Sequence, residues 1–414
     1  MGAVIGGRLS GLEQDREEPF GGVVAGRYRG THRVAPPYRT WNRIQPLLPL
    51  AGITRLVDHS DLDPLGIPVF GAVRPMARCT HVALGKGVTK ELSRISAAME
   101  AMEVWHAEWP TLERLRAARR DVLGDAAVTP VHLHGLREGP WGIPGDGAVM
   151  DWFTGRRLVS GERVLVPAQT VELANRAGTF DVPPFFSART NGLASGNTRE
   201  EALLHALLEL AERDCLADYL ERGPRGQVGI ESITDPECRG LIGRYLSQDF
   251  EVAVIDVTND LDIPAFVSFI RGPDNPWVFC GAGSHLNPAV ALSRALTEAA
   301  QLRLVVVLGL REEVDARFER RKIVDQVPFS SVPLGPPIRF PESAADEDRH
   351  LRSDIDAVLG SLWERRDCDP IVLDLTRKDI GLPVVKVLAQ ELRYGENFFA
   401  PRISLHPGRR GGRP

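Results

Sequence analysis

Cysteine is scarce in this 414-residue chain, and no two cysteines form a CxxC pair. Cys79, Cys215, Cys238, Cys280 and Cys368 are scattered, so neither a structural zinc site nor a disulfide framework is supported. No apolar run reaches the ~20 residues of a membrane span, and no secretory signal pattern is visible at the start. Charge of one sign does not dominate either. A formal net charge of −5 gives no global pull toward nucleic acid or an acidic membrane. A P-loop is also missing: Gly85-Lys86-Gly87 is a tight basic turn outside any GxxxxGK[ST] motif. These absences leave a cytoplasmic globular protein, binding neither nucleic acid nor membrane. It is long enough for a large core.

What is present starts with Arg189 to Asp214, RTNGLASGNTREEALLHALLELAERD. A turn-rich loop over Asn191–Thr198 precedes a helix capped by Asn197 or Thr198, with Glu200 and Glu201 in its first turn. The helix is apolar except for Glu201, His205, Glu209 and Glu212, which share one narrow stripe. A second helix, from about Lys90, carries Ser93, Ser96, Glu100 and Glu103 on one stripe. A third, from Asn287 to about Val307, carries Arg294, Glu298 and Gln301, with Arg303 just off the line. The loop Gly281–His285 precedes it.

Two of these helices bear ExxE, a spacing that puts both carboxylates within reach of one cation. Carboxylates on a stripe flanked by apolar residues need cations, metal ions or arginines. With Lys86, Arg213 and Arg303 they suit magnesium and a polyphosphate, because Mg²⁺ takes carboxylate and phosphate oxygens while guanidinium and ammonium groups hold the remaining charge. A solvated helix face and a di-iron site are the competing readings; the di-iron site wants ExxH pairs, which neither helix has.

The rest of the chain alternates strands and helices, predicting an α/β (α+β) fold of mixed β-sheets packed with helices. Strands are expected at Ile53–Val57, Ile67–Val73, Phe250–Asp256 and Ile263–Phe269, and a basic helix at Leu112–Arg120. DVTNDLDIPAF and DLTRKDIGLPVV align, an internal strand–turn–strand duplication. Residues 1–27 are expected to be disordered and 401–414 a flexible basic tail.

GKGVTKELSRISAAMEAMEVWHAE, NGLASGNTREEALLHALLELAERD and SRALTEAAQLR, together with GITRLVDHSDLDPLGIPV, closely resemble the YcaO domain family. The resemblance implies a YcaO-type fold, with residues 28–400 as the catalytic domain. It implies an ATP- and Mg²⁺-dependent enzyme that activates peptide backbone amides by O-phosphorylation. It assigns Glu100, Glu103, Glu209 and Glu212 to metal and phosphate. Asn197 and Glu201 become nucleotide contacts, joined in the cofactor site by Ser96, Lys86 and Gln301. Arg213 and Arg303 become the catalytic cations. Where relatives commonly have Arg after the first ExxE, this chain has Val104.

Azoline-forming members commonly end in PxPxP, whereas this chain ends HPGRRGGRP. RYRGTHRVAPPYRTWNRIQPLL is similar to members that work beside a TfuA-type partner. The expectation is therefore thioamide formation in a ribosomally made precursor peptide or protein, with a TfuA-like partner and a sulfur donor. An azoline-forming cyclodehydratase is second and a non-catalytic peptide-binding accessory protein third. The resemblance is also compatible with a homodimer.

Overall fold

The computed structural model describes residues 25–122, 129–133, 136, 139, 141–173, 183–274, 277–309, 332, 334–342 and 350–394. Its first part forms the hairpin β1 (Gly26–Tyr28) and β2 (Thr31–Arg33), then α1 (Pro37–Ile44). Next come β3 (Arg55–Asp58), β4 (Val69–Val73), β5 (Val82–Lys86) and the long α2 (Lys90–Glu108). The middle contributes β6 (Leu115–Ala118), the short α3 (Arg119–Val122), β7 (Thr129–Pro130), β8 (Val149–Arg157) and β9 (Arg163–Pro167). β10 (Leu193–Ser195) and α4 (Arg199–Arg222) follow. Then come β11 (Gly226–Val228), α5 (Pro236–Leu246), β12 (Glu251–Asp256), β13 (Ala265–Arg271), β14 (Phe279–Ser284) and α6 (Pro288–Val307). β15 (Pro337–Ile338), α7 (Leu351–Arg366), β16 (Ile371–Asp374) and β17 (Val384–Leu388) complete the order.

One turn recurs three times. Asp58, Asp256 and Asp374 each end a strand and accept, through Oδ1, the amide two residues on: Ser60 at 2.9 Å, Thr258 at 2.8 Å and Thr376 at 2.9 Å. These are Asx turns. Each hydroxyl then accepts the first amide of the returning strand: Val69 at 3.3 Å, Ala265 at 3.1 Å and Val384 at 3.2 Å. The duplication expected from sequence is present, and DHSDLDPLGIPV is a third copy of it.

Each hairpin gains a third antiparallel strand: β5 beside β4, β14 beside β13, and β10 beside β17. Each added strand feeds a long helix whose N-cap side chain is Thr89, Asn287 or Thr198. The sheets are β3-β4-β5, β14-β13-β12-β11-β15, and β10-β17-β16-β8-β9-β7 with β6 beside β8. The helices close a cycle. Besides its own strand, α2 contacts β10, α4 contacts β14, and α6 contacts β5. Each helix is therefore wedged between two units. That is why α4 is apolar nearly all round, with Leu203, Leu204, Leu207, Leu208 and Leu210 all buried.

The structure corrects five readings. The segments read as loops at Gly85-Lys86, Leu193–Ser195 and Gly281–Ser284 are strands. Their glycines answer to close packing: a Cβ on Gly85 would lie 1.9 Å from the Ala97 nitrogen, and one on Gly281 2.3 Å from the Ala295 oxygen. The expected helix over 112–120 is instead β6 followed by a short helical turn, because Leu115–Ala118 pairs with Val149–Trp152 of β8. Gly26 and Arg27, within the segment expected to be disordered, belong to β1. Residues 1–24 and the 401–414 tail lie outside the described residues. Among the described residues, no helix is long and apolar enough to cross a membrane.

Candidate active site

The polar stripes of α2, α4 and α6 line one cavity of about 610 Å³. α2 brings Ser96, Glu100 and Glu103; α4 brings Glu201, His205, Glu209, Glu212 and Arg213; α6 brings Arg294, Glu298 and Gln301. Lys86 enters from β5 and Asn197 from the loop before α4. The hairpin tip covers one side with Gly30, Thr31 and Arg33. Ten of the eleven residues singled out from sequence therefore meet in one place.

The eleventh, Arg303, does not. It is 1% exposed and lies away from the cavity. Its Nε pairs with Asp63 at 2.7 Å and its Nη2 with Asp274 at 2.6 Å, over the Phe250 and Phe279 rings. A guanidinium so engaged is a structural clamp, and the structure removes it from the catalytic set. Ser93 also leaves the stripe, since its hydroxyl donates to the Gly85 carbonyl at 2.8 Å.

The carboxylates differ in what they hold. Glu103 Oε1 accepts from the Ser195 amide at 2.8 Å and hydroxyl at 2.6 Å. Burial pushes its pKa up to about 8, against the pull of the Ser195 hydroxyl, with Glu100 and Glu209 adding repulsion. Glu212 is raised by burial and by Glu298, while Arg213 holds it down. Arg213 reaches Glu212 at 2.9 Å and Glu209 at 3.3 Å. Lys86 pairs with Glu298. Glu201 accepts from the Val34 amide at 3.1 Å and the Asn197 amide group at 3.3 Å. Burial, with Arg294, Arg33 and Lys86 nearby, keeps the His205 pKa well below its usual range. His205 stays neutral beside Arg294, 3.1 Å away.

This donor set fits a divalent cation with an anion. Glu103 is half-buried, its hydrogen-bond donors come from one uncharged serine, and further carboxylates crowd it. A hard oxygen-seeking cation would relieve that crowding. Among the described residues, no three His, Cys, Asp or Glu groups are already drawn into a metal shell. Glu209 and Glu212 are turned toward Arg213, and Glu103 toward Ser195.

Several wall residues were not singled out from sequence. Arg33 comes from β2, Ser195 from β10, and Arg189 and Asn191 from the loop before it. Lys386 stands behind that loop, donating to the carbonyls of Arg189 at 2.5 Å and Asn191 at 2.7 Å. Helical periodicity cannot flag residues on short strands and turns. The one usable signal was Lys386 itself, a lysine inside the apolar strand VVKVL.

Fold and cavity together define a mixed α/β protein with a highly charged cavity lined by the helices of three repeated units. The chain belongs to the YcaO family: the family described as YcaO cyclodehydratase, ATP- and Mg²⁺-binding, matches residues 84–393. An uncharacterised Mycobacterium tuberculosis protein is 35% identical over 89% of this chain and 84% of its own length. An uncharacterised Rhizobium leguminosarum bv. trifolii protein, from the 3′ region of tfuA, is 35% identical over 70% of each chain. Among solved structures, a heterocyclase in complex with substrate and cofactor has a TM-score of 0.74 at 24% identity. It is matched by 96% of this chain, which spans 57% of the heterocyclase. YcaO from Methanopyrus kandleri bound with AMPPCP and Mg²⁺ has a TM-score of 0.68 at 21% identity, over 89% of this chain and 94% of that one.

Proposed function

We propose that this chain is an ATP- and Mg²⁺-dependent enzyme that activates a peptide backbone amide, with a thioamide as its product. The observation that carries this reading is the meeting of three polar helix stripes, two of them bearing ExxE, in one cavity, in a chain of an ATP- and Mg²⁺-binding family. Bound ATP with Mg²⁺ supplies the phosphoryl group that turns an amide oxygen, a poor leaving group, into phosphate, a good one.

The protein's part is positioning and charge neutralisation. Glu100, Glu103, Glu209 and Glu212 hold the metal. Arg213, once released from Glu209 and Glu212, and Lys86, once released from Glu298, take phosphate charge. Asn197 and Glu201 hold the nucleoside end, with Ser96 and Gln301 lining the path between. Hydrosulfide would add to the amide carbonyl carbon, the resulting oxyanion would take the γ-phosphoryl group with ADP as leaving group, and phosphate would depart as the sulfur loses its proton and the C=S bond forms. The relative from the tfuA 3′ region supports thioamidation beside a TfuA-type partner, acting on a precursor peptide or protein. Cyclodehydration to an azoline is the second reading, favoured by the family's description.

The test is ATP turnover and peptide mass spectrometry with Mg²⁺, a candidate peptide, a sulfide source and the purified chain, with and without its TfuA-type partner. Turnover is expected to rise with peptide, and peptide mass to rise as sulfur replaces oxygen; an azoline would lower it. Glu209→Ala is expected to cut turnover by at least about 100-fold, the upper end of what even outer-shell partners of a metal cost. A folded Glu209→Ala protein with full turnover would sink the assignment.

A further inference from the structure

A second cavity, of about 530 Å³, lies where the three-unit repeat breaks its own rule. In the first unit, Lys90 opens α2 and its Nζ meets Asp58 of the Asx turn at 2.9 Å. In the third, Arg199 opens α4 and its Nε meets Asp374 at 3.4 Å. In the second unit the residue opening α6 is Pro288, which has no charge to offer Asp256. The cavity fills that place, lined by Asp256, Pro288, Asp262, Glu342, Arg225 and Arg339. Among the described residues, none of these five charged side chains forms a salt bridge.

Asp256 is 4% exposed, and the bond to its Oδ1 comes from the Thr258 amide, a neutral donor. A carboxylate so buried is costly without a counter-charge. Arg225 draws on it from beyond pairing distance, and burial still raises its pKa. The chain thus builds the acceptor half of an ion pair twice completed elsewhere and leaves the cationic half open. Arg225 and Arg339 on the same wall suit main-chain carbonyls, the groups that flank a side chain in an extended peptide.

The two cavities share α6. Pro288 lines this one, and Ser293 and Arg294 line the larger one. Five residues of helix are about 7.5 Å of rise, the length of two to three residues of extended peptide.

We propose that this cavity seats a lysine or arginine side chain of the peptide substrate, its cationic head against Asp256, a few residues from the amide that reacts. The proposal rests on the peptide-modifying reading above. It makes a basic residue near the modified position a determinant of which peptides are accepted.

The probe is acetyl-Gly-Gly-Lys-Gly-Gly-amide, against the same peptide with norleucine for lysine. Binding to the full-length protein is measured by calorimetry with Mg²⁺ and a non-hydrolysable ATP analogue present. The lysine peptide is expected to bind about tenfold tighter, the size of one charge-assisted pair. Pro288→Lys supplies the missing cation from within the chain. It is expected to erase that preference while leaving binding of the ATP analogue unchanged. Asp256→Asn is expected to do the same; should it fail to fold, Pro288→Lys still decides, because it leaves the Thr258 bond to Asp256 in place. Equal affinity for both peptides, or a preference that survives Pro288→Lys, overturns the seat. A lysine preference in a protein that turns over no ATP would sustain the seat and sink the amide-activating reading.

Discussion

Glu103 shows how much one side chain can report about the site. Its pKa of about 8 means that, with no cation bound, it is mostly protonated at neutral pH, whereas in the unfolded chain it ionises near 4.5. Between these values the folded state binds the extra proton, so stability falls as pH rises, by up to about 1.4 kcal/mol per pH unit from this group. A divalent cation must displace that proton, so Mg²⁺ should bind more tightly at pH 8 than at pH 6. Denaturant unfolding across pH 5–8 is expected to show the decline in wild type, a shallower decline with Mg²⁺ and ATP, and a flatter profile in Glu103→Gln. A wild-type profile identical to that of Glu103→Gln would show that Glu103 is not held protonated. The residues of this site were largely legible because spacing of three and four on an apolar helix marks one narrow face. Arg303 was misplaced for the same reason: it is two positions from Gln301, and on a helix that is the opposite side.

At the scale of elements, glycine was the misleading letter. Gly-rich stretches at Gly85 and Gly281 read locally as turns, yet they are strands on which a helix lies almost backbone to backbone. Nothing in the local sequence separates a glycine chosen for its dihedral angles from one chosen for its missing Cβ. The same substitution should therefore have opposite signs in two elements. Gly281→Ala puts a Cβ 2.3 Å from the Ala295 oxygen and the Ala299 nitrogen, atoms of the α6 backbone that cannot step aside. It is expected to destabilise the protein by about 3 kcal/mol or more, the upper range for overpacking. Gly360 lies within α7, and a Cβ there meets nothing within 4 Å. Gly360→Ala is expected to stabilise by about 0.5–1 kcal/mol through helix propensity. Denaturant midpoints of the two variants against wild type check both signs. β6 carries the complementary lesson, because pairing with β8 overrode a composition that favours helix.

At the scale of the molecule, the site belongs to no single unit. Glu103 stands on the first, Glu298 and Arg294 on the second, and Glu209 and Glu212 on the third, and the helices that carry them are interlocked in a ring. The sequence disclosed two of the three units through DVTNDLDIPAF and DLTRKDIGLPVV. The first unit stayed hidden because DHS replaces the DVT and DLT of the others. The ring was invisible too: one unit takes its third strand, β10, and its helix, α4, from earlier in the chain than its hairpin. A ligand that grips all three units should be felt by all three helices at once. At a concentration 100-fold above its Kd, a Mg²⁺-bound ATP analogue adds about 2.7 kcal/mol to the stability of whatever must open for it to leave. Hydrogen exchange is therefore expected to slow together in the buried turns of α2, α4 and α6, while the outer helix α5, away from the cavity, gains no more than global unfolding passes on to it. Protection confined to α4 would mean that the nucleotide is held by one unit alone, and the ring would then be scaffolding around a one-helix site.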